Sequence, residues 1–526
     1  MQNLAVNFGL VALGAALFAL SFPSLVSMWG WFPLAYLALI PVVVLVHRAN
    51  WPEVFFYGFL YGLATYALHN YWLSGFHPLA LIAVPLIYAT YFFVVFPLLK
   101  LADRLMPRHG YLLQLAIWLA YEYFRTQFFL GYAYGIIGYT QYLFTPMVRL
   151  SSVTGVWGVS LLVAFPSFYL GSALRSGWER AVDFMKANRI APIVWAALFG
   201  VSLIYGVAVR VDYSDAPTWR VALIQQNADP WQGGAAAYQR SLDISLRLSA
   251  AALAEDPSVD VVVWSETSVV PPIDYHLRYR TNRDSYGLVE QLMAYLEDEE
   301  VPYIIGNSSA RLVRTEAGAR PERVDYNAVI VYDDGGFSEP YRKTHLVPFT
   351  EHFPYRRQFP WLYDLLMANG SNHWGKGEEY TVFEIDGVRF STPICFEDTF
   401  GYISREFVNR GAKVLVNLTN DLWSKSVAAS MQHMQMAVFR ATETSRSMVR
   451  STNGGMTTII DPNGRITEIY PPFVEGYLIG DVPIFAERTT LYTRWGDWFA
   501  WLSVAVAVGG LLAAGVVTFV RSRRDN

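Results

Sequence analysis

The chain has 526 residues, of which 53% are hydrophobic, 16% aromatic and only 16% charged, with a formal net charge of −4. No basic patch with interleaved aromatics marks a nucleic-acid binder. The single cysteine, Cys395, excludes an intrachain disulfide, which leaves an inert core thiol or a nucleophile.

The apolar excess is concentrated before residue 211. A membrane span needs about 20 apolar residues, and seven stretches qualify there, near 4–21, 29–46, 54–73, 79–99, 111–130, 155–174 and 190–209, with an eighth near 497–520. The first has no basic leader and further spans follow at once, so it is expected to stay in the mature protein. Lys and Arg collect on cytoplasmic loops. Arg48, then Lys100, Arg104 and Arg108, then Arg175, Arg180, Lys186 and Arg189, then Arg521, Arg523 and Arg524 all fall on one side of an eight-span arrangement. Loops 22–28 and 74–78 carry no Lys or Arg, and 131–154 carries only Arg149. Both termini are therefore expected in the cytoplasm and residues 211–495 across the membrane, in the periplasm of a bacterium with two membranes. The expected divisions are a membrane domain of seven helices over 1–210, a catalytic domain over 211–495, and a last transmembrane helix with a short basic tail over 496–526.

Between 219 and 485 the texture changes to short β-branched runs separated by polar helical stretches, the pattern of an α/β fold. Strands are expected at 219–226, 259–266 and 301–307, with helices at 235–255 and 284–300 between them. Residues 326–343 read as a hairpin turning at Asp334-Gly335-Gly336. A second hairpin turns at Asp386-Gly387, where Asp-Gly supplies the positive φ angles of a tight turn. A strand at 413–418, a helix at 431–446 and a hairpin over 457–469 complete the domain.

Three residues stand where these strands end. Glu266 closes Val261-Val-Val-Trp-Ser-Glu, Lys343 closes a hairpin strand, and Cys395 closes Arg389-Phe-Ser-Thr-Pro-Ile-Cys. Each alone reads as a solvated charge or a core thiol. Together they form a chemically complete set. A thiol attacking a carbonyl needs a base, which a carboxylate can be, and the oxyanion that develops needs a fixed positive donor, which an ammonium can be.

Strand-Glu, Tyr341-Arg-Lys-Thr-His-Leu-Val-Pro-Phe349 and Pro393-Ile-Cys-Phe-Glu397 together resemble the Glu-Lys-Cys signature of the carbon–nitrogen hydrolase (nitrilase) superfamily. That resemblance implies a four-layer αββα sandwich. With seven spans before the domain and one after, the whole chain resembles the bacterial apolipoprotein N-acyltransferase family. The resemblance implies a membrane enzyme that moves an acyl chain from a phospholipid, through a Cys395 thioester, to the α-amine of a diacylglyceryl-cysteine apolipoprotein. Glu266 would act as base and Lys343 as oxyanion partner. Glu351 would be a second carboxylate beside Lys343, or a lid salt bridge. Phe396 and Glu397 are supporting candidates. Many relatives have Tyr where Phe396 stands, so a hydroxyl is lost while an aromatic wall is kept. Asn420 and Trp423 would border the pocket or serve packing, and His433 in the following helix is a secondary candidate.

The segment 353–374 is rich in aromatic and aliphatic residues and reads as a lid dipping into the interfacial layer or as a segment packed on its own domain. Pro271, Pro272 and Tyr275 could form an opposing flap. Glu122 and Arg125, one turn apart, could pair near the membrane boundary or serve structure. The competing readings are a membrane-anchored amidase or nitrilase using water, and a transporter with a sensing domain. The latter predicts ionisable residues within the spans, and these are nearly absent. No metal-ligand spacing or phosphate loop appears, so no cofactor is expected. The expected partners are a membrane phospholipid, a diacylated apolipoprotein and the bilayer, with the protein a monomer.

Overall fold

A computed structural model describes residues 2–313 and 321–524. Met1 and residues 525–526, at the ends of the first and last expected divisions, lie outside the described residues. The described chain forms two compact units. One comprises 1–210, 424–439 and 490–526, and the other 211–423 and 440–489.

The first unit is helical. Among the described residues, five helices are long and apolar enough to cross a membrane: Asn3–Ser21, Pro78–Leu105, Val156–Leu174, Ile190–Ala208 and Trp498–Arg521. Three of the eight expected stretches, 29–46, 54–73 and 111–130, are not among these five. The stretch at 29–46 breaks into a 3-10 turn, Phe32–Tyr36, and a helix, Ile40–Arg48, because Pro33 and Pro41 lack N–H donors and each begins a new element. The stretch at 54–73 is a continuous helix, Trp51–His69, whose start is fixed by a capping box. Asn50 Oδ1 accepts from the Glu53 N–H at 3.0 Å, and Glu53 Oε2 accepts from the Asn50 N–H at 2.8 Å. The stretch at 111–130 ends early, as Gly110–Phe124. Past that end the Arg125 guanidinium donates to the carbonyls of Tyr132 and Tyr134, while Glu122 accepts from Trp118 Nε1 and the Ile137 N–H. The two residues thus anchor separate pieces of chain through these bonds, and their opposite charges act on one another.

Burial within this unit is uneven. Val156–Leu174 is 83% buried inside it, whereas Ile190–Ala208 and Trp498–Arg521 are only 11% and 17% buried. The latter two expose Ile193, Val201, Ile204, Leu512 and Val516. Apolar surface of this extent is stable only against lipid, and the chain is a membrane protein.

The second unit holds two sheets. The first contains β1 (Thr218–Gln225), β2 (Val261–Trp264), β3 (Tyr303–Val313), β4 (Glu322–Asp333), β5 (Gly336–Phe337) and β6 (Tyr341–Arg342). The second contains β7 (Phe383–Ile385), β8 (Val388–Ser391), β9 (Val414–Asn420), β10 (Ser447–Asn453), β11 (Thr457–Ile460) and β12 (Ile466–Tyr470). The last strand, β13 (Gly476–Pro483), returns to the first sheet, antiparallel to β1. Each sheet has a parallel centre, β1-β2-β3 in one and β8-β9-β10 in the other, flanked by antiparallel strands.

Parallel centres require cover on both faces. On the outer face of the first sheet, Leu242, Leu248 and Ala252 of helix Ala235–Glu255 and Leu288, Leu292 and Leu296 of helix Arg283–Glu297 pack on Ile224, Val262, Trp264 and Ile305. The inner faces meet through polar as well as apolar contacts. Ser451 Oγ donates to the Val263 carbonyl at 3.0 Å, Thr457 Oγ1 donates to Gln225 Oε1 at 2.7 Å, and Trp219 lies on Phe390. Helix Gly401–Asn409 buries Phe407 against Tyr341 of β6. The result is the expected four-layer αββα sandwich.

The expected strands at 219–226 and 259–266 match β1 and β2 to within a few residues, whereas β3 runs on to Val313 and pairs along its whole length with β4. Neither that ladder nor β13 was expected. Helix 431–446 is observed as Val427–Thr444, ended by Ser445 at φ +52°.

Candidate active site

Glu266, Lys343 and Cys395 meet because three strands of two sheets end at one edge of the sandwich. Glu266 follows β2 by two residues, and the chain turns at once at Thr267, φ +49°. It passes so close to β3 that a Cβ on Gly306 would lie 2.0 Å from the Ser265 carbonyl oxygen and 2.8 Å from Glu266 Cα. Only glycine allows this approach. Lys343 extends β6 by one more bond, its N–H donating to the Asn327 carbonyl of β4 at 2.9 Å. Strand alternation turns Tyr341 and Lys343 inward, both fully buried, and Arg342 the other way. Cys395 opens a 3-10 turn, Cys395–Thr399, at φ +49°, a region unfavourable for any residue with a Cβ.

The polar geometry at this edge is dense. Lys343 Nζ stands 3.4 Å from Glu266 Oε1 and 3.0 Å from Glu351 Oε1. Asn327 Nδ2 donates to the same two oxygens, at 2.7 and 3.2 Å. The Cys395 side chain also acts on the Glu266 carboxyl, favouring its charged form. Burial pushes the Glu266 carboxyl above the usual range. The Glu351 charge adds to this, while Lys343, Asn327 and Cys395 oppose it. Burial disfavours the Lys343 ammonium, but Glu351, Glu266 and Cys395 together hold its pKa above the ordinary lysine value. The site therefore contains a fixed cation, a basic carboxylate in contact with a thiol, and a second carboxylate on the cation's other side.

Among the supporting candidates, Glu351 is fixed by the Val347 N–H, which donates to Oε2 at 2.7 Å. Glu397 is fully buried and points away from solvent. Its Oε1 accepts from the Thr344 N–H, Thr344 Oγ1 and the His345 N–H at 2.8 to 3.0 Å, its Oε2 accepts from the Ile394 N–H at 2.7 Å, and Tyr341 Oη donates to both oxygens. It ties the lysine segment to the cysteine turn. Phe396 packs on His345 and Phe400. Burial, with Lys376 and Lys343 nearby, pushes His345 down to about 4, so this wall is uncharged at neutral pH. Asn420 ends β9 with its Oδ1 accepting from the Leu422 N–H at 3.2 Å, and Trp423 is half-buried in the turn that follows. Both stand next to the strand that leads to Cys395. Helix Val427–Thr444, through Phe439, groups with the helical unit, and His433 lies there beside Tyr134.

Pro271, Pro272 and Tyr275 are buried. Asn307 fixes them by donating to the Val269 and Pro271 carbonyls and accepting from the Ile273 N–H, so they form a fixed wall in place of a flap. In the 353–374 segment Phe353 is buried, but helix Pro360–Ala368 buries none of its residues and exposes Trp361, Leu365 and Met367. Both roots of the segment are held at Glu351 and Thr350, where Trp374 N–H donates to the Glu351 carbonyl and Asn372 N–H to the Thr350 carbonyl.

Sequence reasoning missed Asn327, which contacts both carboxylates, and Asn417, whose Nδ2 donates to the Pro393 and Cys395 carbonyls at 3.0 and 3.3 Å. Asn327 lay inside an expected strand and nothing local distinguished it. Asn417 offered the weak signal of an amide within an apolar run.

The profile described as the apolipoprotein N-acyltransferase N-terminal domain matches residues 14–169, and that of the carbon-nitrogen hydrolase matches residues 220–489. Apolipoprotein N-acyltransferase 1 of Treponema denticola is 38% identical over 98% of this chain and 97% of its own length. The protein of the same name from Treponema pallidum is 42% identical with the same coverage. Apolipoprotein N-acyltransferase of Geobacter metallireducens is 30% identical over 95% of this chain and 94% of its own.

Proposed function

Since this chain belongs to the apolipoprotein N-acyltransferase family and is an N-acyltransferase of lipoproteins, we propose that it works through a Cys395 acyl thioester. Glu266 takes the thiol proton as sulfur attacks the ester carbonyl of a membrane phospholipid, and the Lys343 ammonium stabilises the oxyanion. The tetrahedral species collapses, the ester C–O bond breaks, and Glu266 returns the proton to the departing lysophospholipid oxygen. In the second half, the neutral α-amine of a diacylglyceryl-cysteine lipoprotein attacks the thioester. Glu266 removes a proton from the attacking nitrogen, the C–S bond breaks, and Cys395 leaves as thiolate and is reprotonated.

The observation that carries this reading is the convergence on Glu266, whose charged form the neighbouring Cys395 side chain favours while its Oε1 lies 3.4 Å from Lys343 Nζ. Glu351 holds Lys343 from the other side, keeping the ammonium charged and aimed. Phe396, Glu397, Asn420 and Trp423 act as supporting residues around that centre.

The basic loops support an inner-membrane protein with cytoplasmic termini and the sheet-rich unit in the periplasm. The exposed apolar helix Pro360–Ala368 is suited to an interfacial lid, since both substrates keep their chains in the bilayer. A monomer suffices, because all members of the proposed centre come from one chain.

Intact-mass spectrometry after incubation with phospholipid, with and without a diacylated lipopeptide, tests the reading. Wild type should gain one acyl mass that transfers to the peptide amine, and Cys395→Ala should gain none. An adduct that hydrolyses without transfer would favour a nitrilase-type hydrolase, and the same adduct on Cys395→Ala would refute the thioester.

A further inference from the structure

The nucleophile turn is held from behind by a buried charge cluster that the chemistry above does not use. Asp398, three residues after Cys395 in the same turn, is fully buried and forms an ion pair with Arg450. Arg450 lies on β10 in register with Asn417 of β9, the residue that holds the Cys395 carbonyl. Its other terminal nitrogen, Nη2, stands 3.8 Å from Oδ2 of Asp421, the residue directly after β9. Asp421 in turn donates its N–H to the Asn453 carbonyl at 3.1 Å. A second arginine, Arg440, is paired with Glu443 and donates to the Thr399 carbonyl at 2.8 Å, closing the end of the turn. Arg450 and Asp398 have no solvent exposure, and Asp421 has 3%.

This arrangement sets one cation between carboxylates of two different loops. One loop carries the nucleophile, and the other carries Asn420 and Trp423. Cys395 occupies the left-handed region, which a residue with a Cβ keeps only when its surroundings over-determine the backbone. Glu397 fixes the front of the turn, Asn417 its carbonyl and Arg450 its back. Arginine suits the task because its planar fork holds Asp398 through one terminal nitrogen while the other stands within ion-pair distance of Asp421, whereas a lysine offers a single point charge.

We propose that Arg450 is a positioning residue for the reaction, locking Asp398 and Asp421 so that the Cys395 thiol stays on Glu266. The proposal rests on the reading of Cys395 as nucleophile. Without the clamp the turn relaxes from its strained conformation, the thiol moves off its base, and acylation slows with little change in phospholipid binding.

The test uses the full chain in detergent or nanodiscs, as wild type, Arg450→Lys and Asp398→Asn. Alkylation of Cys395, the only thiol, by iodoacetamide is followed across pH without any lipid, so it reports thiol geometry whether or not acyl transfer occurs. Acylation kcat and KM are measured in parallel, and thermal unfolding gives the folded fraction. In Arg450→Lys, alkylation near neutral pH should slow about fivefold or more with its pH profile displaced upward, and acylation kcat should fall about tenfold or more with KM nearly unchanged. Asp398→Asn should change in the same direction, and decides the matter if the lysine variant does not fold. A folded Asp398→Asn with wild-type alkylation profile and kcat overturns the proposal, as does a loss of rate in either variant that only tracks the loss of folded protein. If the displaced alkylation profile appears while wild type forms no acyl adduct, the clamp stands and the thioester reading fails.

Discussion

Replacing Lys343 by Met removes a buried cation from between two carboxylates while keeping the volume of its stem. At 3.4 Å from Glu266 and an effective dielectric of about 20, the ammonium contributes about 5 kcal/mol of gross attraction to the ionised carboxylate. Burial and the Glu351 charge already raise Glu266, and Lys343 is the largest influence opposing them. In Lys343→Met, the Glu266 carboxyl should therefore be pushed further above its usual range, so that less of it is ionised and able to act as a base. Loss of a positioned oxyanion donor alone costs about 10² to 10³ in rate. With less of the base ionised as well, acylation of Cys395 should fall about 10³-fold or more. The acid limb of the pH–rate profile should move to higher pH, so part of the lost rate returns on the alkaline side. Folding stability has the matching sign. A carboxyl whose folded pKa is raised contributes stability that is full below its unfolded value and is lost as pH rises through the folded one. The variant should thus be more stable near pH 5 than near pH 8 by thermal unfolding. Adduct formation by intact mass, sampled from about pH 5 to about pH 9, is the assay. An acid limb that stays in place or moves to lower pH would refute the electrostatic argument, whatever the size of the rate loss.

Glu397→Gln turns one amide group toward backbone N–H donors of Thr344, His345 or Ile394. Facing donors cost about 1–3 kcal/mol, so melting should drop and adduct formation should slow, and an unchanged melt would refute the assigned hydrogen bonding. Gly306→Ala forces its new Cβ against the Ser265 carbonyl and Glu266 Cα. It should abolish activity through displacement of the base, and normal kinetics in a folded Ala variant would contradict that close approach. Trp361→Glu with Leu365→Glu places charge on the exposed apolar helix. Turnover of vesicle-borne phospholipid should fall about tenfold while a water-soluble short-chain ester reacts as before. Equal loss on both substrates would argue against an interfacial lid.

Much of the site was legible because strand ends are easy to find. A buried β-branched run such as Val261–Trp264 followed by Ser-Glu announces a charged residue at an edge, and the Lys343 and Cys395 motifs do the same. Asn327 and Asn417 were not legible, since an amide in a strand looks alike whether it faces solvent or bridges two carboxylates. The long β3–β4 ladder was hidden because polar Asn307, Ser308 and Ser309 interrupt its apolar pattern, and these residues turn out to hold the 269–274 segment. Pro271 and Tyr275 read as a flap from composition, and only the Asn307 hydrogen bonds reveal them as wall.

By itself, the sequence determined what depends on neighbours along the chain: apolar helices, basic loops, an alternating sheet domain, and a lone thiol, a lysine and a glutamate each closing a strand. Tertiary structure decided what depends on distance between residues far apart in sequence. It set which two oxygens, one of Glu266 and one of Glu351, Lys343 shares with Asn327. It made Glu397 a buried tie between the lysine segment and the cysteine turn, and it set Arg450 behind the turn that carries Cys395. The physical reason is that hydropathy and turn propensity are local quantities. The desolvation and Coulomb energies that tune this site depend on packing from both sheets, which no single segment encodes.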